Sequence, residues 1–198
     1  PEELDEPQRN IIALPLSGSH LVTGPPGSGK TNLLLLRAKR LFLSGQANLK
    51  LVVFTRTLQE FIRSGADQYN IPPDAIVTAR KWQLDFLRSN EVSFELPDGF
   101  EKQRDLLGRL TLECISDKGP RPAIDCLLLD EAQDFSLVEM QAFLAVSKRI
   151  FAVGDDRQQL YSGKHPLDEL QARTGPAKVI PHHYRCGPKI CELADRVS

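Results

Sequence analysis

"HLVTGPPGSGKTNLLLLRAKR", residues His20 to Arg40, sets an apolar run, a glycine-rich loop and a helical pattern end to end. The loop, Gly24 to Thr31, has the spacing GxxxxGK[ST], with a strand before it and a helix after it, which is the context that spacing requires. Glycines let successive backbone N–H groups turn inward around phosphate oxygens, and the helix N-terminus adds the positive end of its dipole. Gly24, Pro25, Pro26, Gly27, Ser28, Gly29, Lys30 and Thr31 are therefore candidate phosphate contacts. Lys30 would reach the β- and γ-phosphates, and the Thr31 hydroxyl would ligate Mg²⁺. A glycine-rich turn of no chemical consequence matches the bare pattern by chance in roughly one chain per hundred of this length. The flanking strand and helix lower that further.

Working outward, short apolar runs recur at "LKLVVFT" (49–55), "AIVTA" (75–79), "CLLLD" (126–130), "IFAVGD" (150–155) and "AKVIPH" (177–182). They are apolar almost throughout rather than alternating, the signature of strands buried on both faces. Helical patterns lie between them. "TLQEFIRSGADQY" and "SLVEMQAFLAVSK" open with Thr57/Glu60 and Ser136/Glu139 at capping-box spacing, and "FEKQRDLLGRLTLECIS" repeats its apolar residues at helical intervals. Alternating strands and helices predict an α/β fold, and with the phosphate loop a P-loop NTPase: a parallel sheet with helices on both faces. Ligands of such sheets bind beyond the carboxyl ends of the strands. "SNEVSFELPDGF" (89–100) is the least patterned stretch and reads as a surface loop.

"LLLDEAQD", Leu127 to Asp134, crowds three carboxylates at the end of a buried run, which calls for a positive partner. The metal ion at the phosphate loop, assisted by Lys30, is that partner. With the acidic strand placed beside the loop strand, Asp130 would hold the Mg²⁺ hydration shell and Glu131 would position or deprotonate the attacking water. Asp134 either shares that role or favours the N-terminus of the helix near Ser136. In "VGDDRQQLY" (153–161), Gln158 is either a surface residue of a turn or a sensor of the γ-phosphate.

Phosphate loop, "DEAQD", "VGDDRQQLY" and "HYR" in this order resemble the UvrD/Rep-type superfamily 1 DNA helicases. "LDEPQRNII" resembles the family's Q motif, which implies that Gln8 reads the adenine edge. "VVFTRTLQE" resembles the motif after the second strand, which implies that Phe54 and Thr55 face single-stranded DNA, with Tyr161 a further DNA contact. The resemblance implies an ATP-hydrolysing first RecA-like domain over residues 1–176 and the start of a second over 177–198. It makes Arg185 a γ-phosphate contact where residue chemistry alone suggests a surface arginine. The implied partners are single-stranded DNA, with RNA left open, and a C-terminal RecA-like domain.

The chain also departs from the family. Gly163 replaces the aromatic that stacks on a base, and Ala79 and Arg80 replace two residues of a T-F-H segment. About forty residues stand where a larger insertion is usual, and Trp82 is either a stacking platform or a core residue. These departures keep open a nucleotide-gated binding module of helicase ancestry that does not translocate. A small-molecule P-loop kinase explains neither "DEAQD" nor "VGDDRQQLY".

The formal net charge of −1 excludes a global basic field but not a local basic groove. No apolar run approaches a membrane span, so no membrane partner is expected. Cys114, Cys126, Cys186 and Cys191 form no CxxC pair, which reads as a reduced, cytoplasmic protein. His182 and His183 near two cysteines make zinc conceivable, at a spacing that fits no standard finger. Pro1 and the closing "CELADRVS" read as the ends of a piece of a longer chain.

Overall fold

The computed structural model describes residues 4–46, 48–118, 124–155 and 165–181. Six strands run in chain order: β1 (His20–Thr23), β2 (Leu49–Val53), β3 (Ile76–Thr78), β4 (Cys126–Leu129), β5 (Ile150–Gly154) and β6 (Lys178–Val179). They form one sheet in the order β3-β2-β4-β5-β1-β6, and every pairing is parallel. The helices are α1 (Glu6–Ala13), α2 (Lys30–Leu43), α3 (Arg56–Tyr69), α4 (Ala79–Ser89), α5 (Phe100–Lys118), α6 (Leu137–Val146) and α7 (Pro166–Thr174).

The apolar strands serve two faces at once. On one face Val22, Leu51, Val53, Leu128 and Val153 pack with Leu33 and Leu34 of α2 and Ile62 of α3. On the other, Leu21, Val52, Leu127, Leu129 and Ala152 pack with Trp82 of α4, Phe143 of α6 and Leu170 of α7. Alternate side chains of each strand point to opposite faces, so a run with no polar interruption demands helices on both. Helix α5 adds an outer layer, where Leu107 and Cys114 meet Leu84 and Leu87 of α4. The 89–99 connection is irregular as expected, yet Val92 and Phe94 are half-buried against this outer cluster.

Three expectations change. The acidic strand β4 is not beside the loop strand β1, because β5 lies between them. Helix α3 is capped by Thr55, whose Oγ1 accepts from Leu58 N at 3.2 Å, and begins at Arg56, so Thr57 is already inside its first turn. Strand β6 is exposed at the sheet edge rather than buried on both faces. It also pairs with β1, Ile180 N donates to Thr23 O at 2.8 Å, and Ile180 is fully buried. Backbone pairing and apolar burial in this sheet thus continue through Ile180.

Candidate nucleotide site at the strand ends

Strand β1 delivers the chain into Gly24–Thr31, and the loop turns directly into α2. Gly29 takes the helix N-cap position at φ +82°, a left-handed conformation that costs a glycine little. Lys30 is buried, and its Nζ donates to the carbonyls of Gly24 at 2.8 Å and Pro25 at 3.0 Å. The ammonium thus lies curled over its own loop. Ser28 is fully buried with no partner for its hydroxyl. Gln8, in the first turn of α1, closes a capping box with Asp5 and donates from Nε2 to Ser28 O at 3.3 Å. The residue expected to read an adenine edge is therefore fastened to the phosphate loop itself.

Asp130 follows the last residue of β4 and is fully buried. Its Oδ1 accepts from Thr31 Oγ1 at 3.4 Å and from Glu131 N at 3.1 Å, while Oδ2 has no partner. Burial first, and the neighbouring Glu131 second, push its carboxyl up to about 6. Asp130 still reaches Thr31, although β5 lies between their strands in the sheet.

Glu131 has φ 47° and ψ 54°, a left-handed conformation that a non-glycine residue holds at a cost of order 1–3 kcal/mol. Gln133 Nε2 donates to Glu131 Oε2 at 2.9 Å, and Gln133 Oε1 accepts from Asp155 N at 2.9 Å. Gln133 thereby ties the carboxylate to the end of β5. A side chain at Gly154 would place its Cβ 2.8 Å from Gln133 Oε1, so the glycine is needed for that approach. Asp134 is also pushed up, by burial and by Glu131, with Arg104 opposing. Its carbonyl accepts from Arg104 Nη2 at 2.8 Å.

Pro26, Lys30, Glu131, Gln133, Asp134 and Asp155 line a cavity of about 180 Å³. A larger cleft of about 540 Å³ lies between residues 95–97 and α5, and no phosphate-loop residue lines it. The small cavity is the chemical one. Mg²⁺ fits here on the donor set: two oxygen ligand types, a hydroxyl and a carboxylate, meet at one point, and one buried carboxylate oxygen is unpartnered. No group of three or more His, Cys, Asp or Glu residues suited to a metal occurs among the described residues.

The structure thus brings Gln8, Gly24–Thr31, Asp130 and Glu131 together at one end of the sheet. Phe54 and Thr55 stand at the end of β2 on the same rim. Thr55 is exposed, but the Phe54 ring is half-buried, edge-on to Phe135 and Phe100, with the Arg104 guanidinium 4.9 Å from its centroid. Trp82 is a core residue, stacked on Phe86 at 5.3 Å. Gln158, Tyr161 and Arg185 lie outside the described residues, as do Gly163, His182 and His183. Sequence reading missed Gln133 and Arg104. The first was signalled by a residue able to donate and accept inside the acidic box. The second had no local signal, because its partner Glu139 is 35 positions away.

Residues 8–164 match the family described as an AAA domain. The chain belongs to this AAA domain family. The match takes in the phosphate loop, the acidic box and the 153–161 segment, and no curated protein matches the chain in sequence. Among solved structures, this AAA domain is similar to the Pif1 helicase from Candida albicans (TM-score 0.60, 13% identity, 98% of this chain and 44% of that one). It is also similar to the Pyrococcus furiosus Hef helicase domain (TM-score 0.55, 14% identity, 90% and 38%). A third is Bacteroides Pif1 bound to ssDNA (TM-score 0.51, 16% identity, 100% and 46%). The AAA domain spans less than half of each of these chains, and it shares the fold of these helicase structures over that part. No helix among its described residues is long and apolar enough to cross a membrane.

Proposed function

We propose that this AAA domain is the ATP-binding first motor domain of a superfamily 1 DNA helicase or translocase, coupling Mg–ATP hydrolysis to movement on single-stranded DNA. The observation that carries the reading is a small cavity lined by Lys30 and Glu131, beside which Thr31 meets Asp130 with one buried carboxylate oxygen left unpartnered. Lys30 would exchange the Gly24 and Pro25 carbonyls for phosphate oxygens, while the loop N–H groups and the α2 N-terminus hold the phosphates in place. Thr31 and Asp130 would hold Mg²⁺, which when bound neutralises phosphate charge. Glu131, aimed by its left-handed backbone and by Gln133, would accept a proton from the attacking water. Gln158 and Arg185 would complete the γ-phosphate contacts.

Single-stranded DNA is the proposed partner because Thr55 and Phe54 stand on the same rim, and because the Pif1 neighbour is described as bound to ssDNA. A second RecA-like domain would close over the nucleotide. The free, buried Cys114 and Cys126 suit a reducing, cytoplasmic setting. One observation favours the non-translocating alternative: the Phe54 ring is already occupied by protein.

Lys30→Met, which keeps the aliphatic stem, is expected to abolish Mg–ATP binding in isothermal titration while the circular dichroism spectrum stays unchanged. Undiminished affinity would remove the phosphate-loop assignment. Stimulation of turnover by single-stranded DNA, in a chain carrying both RecA-like domains, separates translocase from binding module.

A further inference from the structure

We propose that Phe100, the first residue of α5, is a nucleobase-stacking contact for single-stranded nucleic acid beside the end of β2. The inference rests on the nucleic-acid partner proposed above. Phe100 opens α5 and is 53% exposed. Its ring meets Phe54 edge-to-face at 6.3 Å, and the Arg104 guanidinium lies 5.5 Å from its centroid.

The backing of this ring is fixed. Arg104 donates to Glu139 Oε2 at 2.7 Å and to Asp134 O at 2.8 Å, and it also lies over Phe54. Phe54 has spent its ring on Arg104, Phe135 and Phe100, so the aromatic surface offered to solvent at the end of β2 belongs to Phe100. Exposed Arg56 follows Thr55 on this rim, and Arg80 is held to the first turn of α5 through Gln103 Oε1 at 3.0 Å. Glu101 is paired with Arg104 at 3.3 Å. Cations beside a rigidly backed aromatic match what a single strand needs, since phosphates seek charge and any base offers a π-face.

The test is equilibrium binding of a fluorescent oligothymidine, and of an abasic oligomer of equal length, to the wild-type chain and to F100A, F100W and F61A. Phe61 is 66% exposed on α3 and serves as the control for losing an exposed ring. F100A is expected to weaken oligothymidine binding by about 5- to 100-fold, the loss of one base–aromatic stack, with abasic binding unchanged. F100W and F61A should bind oligothymidine as the wild type does. Wild-type affinity in F100A, or an equal loss on both oligomers, overturns the stacking role and leaves the nucleic-acid reading standing. Failure of the wild-type chain to bind either oligomer overturns both.

Discussion

Asp130 concentrates the chemistry of the site in one side chain. Its carboxyl is fully buried, raised to about 6 by desolvation and then by Glu131, and half of its hydrogen-bonding capacity is unused. A carboxylic acid raised in the folded state binds more protons there than in the unfolded chain. Stability therefore falls as pH rises from the unfolded value near 4 through about 6, and above that the buried charge costs about 3 kcal/mol. Asp130→Asn removes the charge and keeps the shape. Without metal, it should stabilise the chain at pH 7.5 by up to about 3 kcal/mol in urea titrations, the gain vanishing near pH 4. It should also lose Mg²⁺-dependent nucleotide affinity. Equal stability of variant and wild type at both pH values would show that burial does not strain this carboxylate, and would weaken its case as a metal ligand.

At the scale of elements, α5 is joined to α6 by a buried ion pair. Arg104 and Glu139 have side chains only 11% and 3% exposed and meet at 2.7 Å, and the same Glu139 oxygen accepts from Ser136 N at 2.8 Å to close the α6 capping box. One carboxylate thus serves a helix cap and a tertiary contact. Arg104→Met leaves Glu139 buried without its cation, for which a loss of about 3–5 kcal/mol is expected in denaturant unfolding. Glu139→Gln in the same background should recover part of it, because the stranded charge is gone while the cap oxygen remains. No recovery in the double variant would mean that packing of the Arg104 stem over Phe54, rather than charge, holds α5 in place.

For the whole molecule, the described cavity holds a single cation, Lys30, facing three carboxylates. In phosphoryl-transfer enzymes an arginine finger contributes about 10³–10⁵ in rate. With such an arginine supplied by the proposed second RecA-like domain, the 198 residues by themselves are expected to bind Mg–ATP yet turn it over slowly, with little response to DNA. Joining a second RecA-like domain should recover DNA-stimulated turnover. Robust DNA-stimulated hydrolysis by this chain alone, in a coupled phosphate-release assay, would show that the described site lacks nothing essential.

Local chemistry made much of this protein readable from its residues. Unbroken apolar runs required a sheet covered on both faces, and "GPPGSGKT" marked the loop that joins β1 to α2. Ser136 and Glu139 announced their own capping box, because all its partners lie within one helical turn. Tertiary structure decided what depends on distant partners. β5 rather than β4 neighbours β1, since apolar runs of similar composition pair equally well in several orders. Val179 lies at an exposed edge, although its sequence is as apolar as a buried strand. Thr55 displaced Thr57 as the α3 cap because the helix starts where β2 releases the chain. The contacts of Gln133 with Asp155, of Arg104 with Glu139 and of Phe100 with Phe54 formed only when these residues were folded together. A hydrogen bond or a ring contact between residues tens of positions apart leaves no periodic trace in the sequence.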